Sequence, residues 1–529
     1  MLLEGSCWSA TAAKLASALK PRYRHFPAPA SCILNVTTGD MTTQFEGGGF
    51  WRYLGFRPDG KVAAVADQPT DVDNDAFLLW SDGHRQRLLP RARRVTDVFW
   101  AAGRLYAVAD VESEFTGLVE VNQDDPSKIR RRLLTGATGD VLVAVPDPSG
   151  VHALVAINHG MRDALGLVSL EAGTFTEMGK SLPEGILHHQ YTDYSPGHGR
   201  QVAWTPGGHS ALVTWTSPVL PPEVFDAVSG TQWTSAGHDA FPDLPGCIMS
   251  REVRSFDGTM IPVIWYRVDA TPGPGTKPRP TVVIFHGGPA MEARRWFDTR
   301  IKVLLANGID VLTPNVRGST GLGRTFMALD EREQRWGAVR DGVACGRWLR
   351  AQGVEEIVAM GNSYGGWEAL AVVMEAYRSS DSNLWSAAIS INGIVDWPNH
   401  VATTAPWRRG RYGRYGNIRD PEALSFLEAI SPLRHADEIT VPALLVGSQR
   451  DTKVGPQLLQ PMAGRLPRHS KILLLTAGHD RPDNPVDEMK VMEGVMEFLQ
   501  GVLPTLPGPA TGRSDRTRRP VAGRQSASL

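Results

Sequence analysis

Cysteine is scarce in this chain. Cys7, Cys32, Cys247 and Cys345 are scattered, with no paired spacing, which argues against a disulfide-stapled scaffold and against a thiolate metal site. A reduced, cytoplasmic protein is the simplest reading of that usage. Net charge is lacking too: Lys+Arg 55 against Asp+Glu 56 leaves −1, so no whole-chain field points to nucleic acid or to a membrane surface. No apolar run approaches the roughly 18–20 residues needed to span a bilayer. The opening stretch MLLEGSCWSATAAKLASALKPRYR has no basic region followed by an apolar one, as a secretory leader would. Nothing in the spacing of ligand-type residues calls for a metal or a cofactor. What remains is 529 residues, 42% hydrophobic and 21% charged, the composition of a globular protein of two or three domains.

Texture divides the chain. Residues 1–25 carry Leu and Ala at a spacing that predicts a short amphipathic helix. Over residues 26–250, GFRPDGKVAAVAD (55–67), FWAAGRLYAVAD (99–110), VPDPSGVHALVAIN (145–158) and WTPGGHSALVTW (204–215) each join a turn to a β-type run. Their spacing starts near 45 residues, about the length of one four-stranded propeller blade, and the region holds about five such units. A β-sandwich with similar turns is the alternative. Over residues 251–503 the runs TVVIFHGG, GIDVLTPNVRG, EEIVAMGNS, SAAISING, VPALLVGS and KILLLTAGH alternate with helix-length segments. That pattern predicts a mainly parallel, doubly wound sheet. Residues 504–529, rich in Pro, Gly, Ser and Arg, are expected to be a disordered tail.

The chemistry is concentrated in the second half. GNSYG (361–365) stands between the apolar run EEIVAM and the helix-like GWEALAVVMEAY. Gly-x-Ser-x-Gly at a strand-to-helix turn is the nucleophile elbow of the α/β-hydrolase fold and makes Ser363 the candidate nucleophile. A serine hydroxyl needs a base, and the base needs an orienting carboxylate. That fold places them in the order Ser, Asp/Glu, His. Asp451 follows VPALLVGS and His479 follows KILLLTAG, each at the end of an apolar run. Asp396, Asp437 and Asp480 are less well placed, and His188, His189, His435 and His469 lack a strand-end context. HGGP (286–289) after TVVIF offers close-approaching backbone amides. The N–H groups of Gly288 and Tyr364 are the expected oxyanion donors.

Taken together, these pieces resemble the prolyl oligopeptidase family of serine peptidases, closest to its acylaminoacyl-peptidase-like branch. RSFDGTMIPVIWYR (254–267), KPRPTVVIFHGGP, NVRGSTGLGRTF (315–326), WG at 336–337 with Asp341, GNSYGG (361–366), SP at 431–432 and DTKVGPQ (451–457) fall in the family's order. The resemblance implies an α/β-hydrolase catalytic domain whose mouth is covered by an all-β propeller that admits small or flexible substrates. It implies the triad Ser363, Asp451 and His479, and the oxyanion donors Gly288 and Tyr364. It also implies a substrate-positioning role for Arg317, for which a structural ion pair is the competing reading. Three features depart from the family. The propeller region is short, so it is either reduced or preceded by further chain. Asp480 follows the histidine, where relatives carry a small or aromatic residue. Glu112 and Glu114, in DVESEFTG, look like a blade loop rather than a dipeptidyl-peptidase glutamate pair.

The expected activity is cleavage of short peptides through an acyl-enzyme on Ser363, of oligopeptidase, aminopeptidase or acylaminoacyl-peptidase type. An esterase, thioesterase, amide hydrolase or acyl transferase acting on a small metabolite would use the same residues. A silent propeller scaffold would show a damaged triad, and none is seen. A homo-oligomer is a possible state, and the basic, tyrosine-rich 403–417 is read either as a loop near the substrate mouth that attracts acidic groups or meets a neighbouring subunit, or as a solvated loop.

Overall fold

The structure, a computed structural model, describes residues 51–188, 201–235, 246–269, 278–404, 414–479 and 485–506, apart from loop positions 69, 71–72, 137–138, 161 and 179–180. Before residue 51 it describes the backbone of four strands. The tail beyond Leu506, His189, Asp480 and most of the basic loop lie outside the described residues.

Leu2–Trp8, Lys14–Lys20, Ala30–Asn35 and Met41–Glu46 form one antiparallel sheet in sequential order. This corrects the helix expected over 1–25. Leu15 and Leu19 are four apart, a spacing that suits one face of a helix and equally one face of a strand. Lys14–Lys20 pairs along both edges, with Leu2–Trp8 and with Ala30–Asn35, and that pairing decides against the local helical preference.

Three further sheets are four-stranded meanders, running over Trp51–Leu88, Val95–Leu134 and Val141–Glu177. A fifth centres on Ala211–Thr216, flanked by Ile186–Leu187, Val202–Trp204 and Glu223–Asp226. The turns are built alike. Gly60, Gly150 and Gly208 all take positive φ and donate to the carbonyl three residues back, at 2.8, 3.0 and 2.8 Å. From the second sheet onward, neighbouring sheets share cores: Leu54 and Leu88 with Val98 and Leu105, Phe99 and Tyr106 with Val141 and Val155, Val143 and Leu154 with Val213 and Phe225. A sheet covered on both faces by its neighbours is the packing of a propeller blade, and the N-terminal half has the fold of a β-propeller.

The second half is an eight-stranded sheet. Its strands are β1 (Cys247–Arg254), β2 (Met260–Arg267), β3 (Thr281–Phe285), β4 (Asp310–Pro314), β5 (Ile357–Asn362), β6 (Ala387–Ile391), β7 (Ala443–Ser448) and β8 (Lys471–Leu475), in the order β1-β2-β4-β3-β5-β6-β7-β8. Only β2 runs against its neighbours; the pairs from β4 to β8 are parallel. Strands β3, β4, β5, β6 and β7 are almost wholly buried because helices cover both faces. Helix α1 (Thr299–Ala306) and the C-terminal helix Pro485–Val502 pack on one face, and α2 (Trp336–Ala351) with α3 (Tyr364–Arg378) on the other. The chain leaves β3 for β4 on one side and returns to β5 on the other. This reversal leaves a crevice beyond the carboxyl ends of β3 and β5, where ligands bind in such sheets. No helix among the described residues is long and apolar enough to cross a membrane.

Blade loops tie the propeller to this carboxyl edge. Glu114 accepts from the Thr325 N–H (3.0 Å) and hydroxyl (2.8 Å), Asp163 pairs with Arg294, and Asn158 Nδ2 donates to Glu292 at 2.9 Å. Burial pushes the Glu292 carboxyl up to about 7, although Arg294 opposes this. A carboxyl raised in the folded state loses stability as it ionises, so stability falls as pH climbs from its ordinary 4.5 through about 7. A tenfold change in an acid dissociation constant corresponds to about 1.4 kcal/mol. Urea unfolding from pH 4.5 to 8.5 is expected to show this decline in the wild type, and Glu292→Gln is expected to lessen it, with Asp97, which burial also raises to about 7, accounting for part of what remains. An unchanged slope in the variant would remove Glu292 as its source.

Candidate active site

Ser363 joins β5 to α3 with φ 59° and ψ −117°. The glycines around it follow from contact distances. A Cβ at Gly361 would overlap the Gly365 carbonyl, and one at Gly365 would overlap the Phe285 carbonyl and lie 2.6 Å from the His286 oxygen. No side chain fits at either position. The turn is pinned from the other side by the Ser363 N–H, which donates to the Ile391 carbonyl of β6 at 2.8 Å. The serine is thereby forced out at the end of β5.

The loop after β8 brings His479 to it. His479 Nε2 lies 2.8 Å from Ser363 Oγ, and Nδ1 lies 2.6 Å from Asp451 Oδ2. The other carboxylate oxygen, Oδ1, accepts the N–H groups of Lys453 and Val454, both at 2.7 Å. Backbone bonds from Gln449 to Leu475 (2.8 Å) and from Arg450 to Ala477 (3.0 Å) hold the two loops together. The His479 and Asp451 side chains are 6% and 0% exposed. An acceptor-only carboxylate at Nδ1 selects the tautomer that keeps its hydrogen there. Nε2 is then an acceptor facing the serine hydroxyl. Three of the residues named from sequence thus meet at one edge of one sheet.

The turn after β3 lies alongside. A Cβ built on Gly287 would stand 3.9 Å from Ser363 Cβ and 3.4 Å from the Asn362 oxygen. Gly288 has φ 125°, and a Cβ there would stand 2.7 Å from the Ala290 nitrogen. His286 anchors this turn: Nδ1 meets the Gly287 carbonyl at 2.7 Å, and Nε2 meets Ser319 Oγ at 2.8 Å. Burial holds its pKa down at about 4, so the ring stays neutral across the neutral range. Tyr364 opens α3; its ring is buried against Trp367, with centroids 4.9 Å apart, so its N–H rather than its side chain lies next to the nucleophile.

Arg317 is the residue for which the sequence left two readings open. Four of the five N–H groups of its side chain are committed. Nε and Nη2 bind Asp341 at 2.8 Å each, and Nη1 and Nη2 bind Asp257 at 3.0 and 3.1 Å. A Cβ on Gly337 would come 2.8 Å from its Cδ, so Gly337 and Asp341 form the seat for this side chain. These bonds support the reading of Arg317 as a structural ion pair. Arg317→Leu would leave the fully buried Asp341 side chain unpaired, at a cost of about 3–5 kcal/mol, to be read from the urea midpoint. A substrate contact would instead raise KM with the midpoint unmoved.

Two further residues were not anticipated. Asn392 Nδ2 donates to the His479 carbonyl at 3.2 Å and so braces the histidine loop. Ser319, in the NVRGST stretch, holds His286. The competing carboxylates are engaged elsewhere. Asp396 caps the helix Trp397–Thr403 and meets Arg434 at 3.0 Å, and Asp437 pairs with Arg465 at 2.9 Å.

Residues 295–503, which include Ser363, Asp451 and His479, match the prolyl oligopeptidase family. The chain carries a prolyl oligopeptidase family domain. It is 26% identical over 242 residues to dipeptidyl aminopeptidase BIII of Pseudoxanthomonas mexicana, a match that covers 43% of this chain and 34% of that protein. Among solved structures it resembles a puromycin-hydrolyzing peptidase of Mycobacterium tuberculosis, with TM-score 0.77, 19% identity and coverage of 95% and 79% of the two chains. It also resembles the acylaminoacyl peptidase of Pyrococcus horikoshii, with TM-score 0.69, 18% identity and coverage of 96% and 82%. At those identities the structural likeness speaks to the fold: a propeller ahead of an α/β-hydrolase domain.

Proposed function

We propose that this chain is a serine peptidase that cleaves short peptides through an acyl-enzyme on Ser363. The observation that carries the reading is the imidazole of His479 held between Ser363 Oγ at 2.8 Å and Asp451 Oδ2 at 2.6 Å. Nε2 takes the hydroxyl proton as Oγ attacks the scissile carbonyl, and returns it to the departing amine. Water then enters and His479 again acts as the base. Asp451 holds the ring and stabilises its charged form. The Gly288 and Tyr364 N–H groups are proposed to receive the oxyanion, each supplying about 3–4 kcal/mol in the transition state. The Gly287 turn beside the serine and the position of Tyr364 at the start of α3 support that assignment. The propeller over the carboxyl edge favours short or flexible substrates. A reduced, cytoplasmic setting is included in the proposal on the scarcity and scatter of cysteine in the sequence.

The test compares p-nitroanilides of single amino acids, dipeptides and N-acyl amino acids with p-nitrophenyl esters, for the wild type and Ser363→Ala in parallel. The proposal expects anilide cleavage that depends on Ser363, and the preferred class tells how many residues are released. Ester turnover without anilide cleavage would replace the peptidase reading with an esterase one.

A further inference from the structure

On the outer flank of the hydrolase sheet, an open groove of about 500 Å³ lies between the end of β1 and the middle of α2. No step of the proposed chemistry uses it. Its volume is in the range of small-molecule sites, which pair apolar walls with a few placed polar groups. The floor is Val343, Ala344 and Trp348. Trp348 is held edge-on against Trp265, with centroids 5.1 Å apart, so this wall is set before anything binds.

The charge around the floor is one-sided: three arginines line the groove with a single glutamate. Arg340 is paired to that glutamate, Glu375, at 3.1 Å, and Arg347 to Asp381 at 2.9 Å. Arg254 is exposed and makes no ion pair among the described residues. Beside it Phe256 is 52% exposed. The guanidinium carbons of Arg317 and Arg340 lie over its ring, 4.7 and 5.2 Å from its centroid. A phenyl ring fixed by two guanidiniums yet half open to water, next to an uncommitted arginine, is an arrangement suited to a flat ring that carries negative charge.

We propose that this groove binds a small aromatic anion, an aryl carboxylate, sulfonate or phosphate, with its ring on Trp348 and Phe256 and its charge at Arg254.

The test is fluorescence titration of the full chain with 8-anilinonaphthalene-1-sulfonate, after Ser363 has been blocked with a fluorophosphonate so that the catalytic crevice is in one state throughout. The expected result is a saturable site weakened at least tenfold by Arg254→Glu and likewise by Ala344→Glu, which places bulk and negative charge on the floor. N-phenyl-1-naphthylamine, the same ring system without the sulfonate, is expected to bind at least tenfold more weakly. Thermal unfolding midpoints identify any variant that has lost its fold, and the uncharged dye needs no variant. Absence of saturable binding, wild-type affinity in the folded variants, or equal affinity for the uncharged dye would each overturn the assignment.

Discussion

Ser363→Ala is expected to lower kcat/KM by roughly 10⁴–10⁶-fold, the loss typical when one member of a cooperating triad is removed. Cleavage needs a covalent acyl-enzyme, and alanine has no atom to form it. The backbone amides beside the serine remain, so a residue of activity above the uncatalysed rate should survive. The loss is chemical rather than structural. Alanine keeps the Cβ that the left-handed turn already accommodates at φ 59°, and the Ser363 N–H to Ile391 bond is a backbone contact. The variant should therefore unfold at the wild-type urea midpoint. Steady-state rates on the preferred anilide, read with the unfolding curve, separate the two causes.

Asp451→Asn is expected to cost about 10⁴-fold in kcat, because it reverses the polarity of a hydrogen bond with little change in shape. The two backbone N–H groups at 2.7 Å hold whichever oxygen occupies the Oδ1 position. An asparagine would meet them with its carbonyl and turn its NH₂ toward His479 Nδ1. That nitrogen would then have to accept, leaving the hydrogen on Nε2 and directing it at Ser363 Oγ. A base that already carries its proton cannot take another from the serine. The expected signature is a fall in kcat with KM little changed and the fold intact. Equal losses for Asp451→Asn and Asp451→Ala would fit this tautomer account, whereas near-normal activity in the asparagine variant would contradict it.

Much of this site is legible in the sequence, for a topological reason. Ser363, Asp451 and His479 each follow a short apolar run, and parallel strands bring the ends of such runs to one edge however far apart they lie in sequence. Gly361 and Gly365 mark the elbow because carbonyl oxygens occupy the space of any side chain there. Arg317 was ambiguous because its partners Asp341 and Asp257 lie 24 and 60 residues away, and its sequence neighbours do not reveal which carboxylates close on it. Asn392 sits before a glycine and reads as a turn, which its φ of 47° fits. Its bond to a carbonyl 87 residues further on has no local signature. The N-terminal stretch misled because Leu15 and Leu19 satisfy both periods at once, and the choice was made by neighbouring strands.

The most direct measurement is mass spectrometry of the intact chain after reaction with diisopropyl fluorophosphate, with the adduct located by peptide mapping. The account predicts one adduct, on Ser363, that forms quickly in the wild type and is all but lost in His479→Ala. An adduct on a different residue, or labelling of His479→Ala at the wild-type rate, would contradict it.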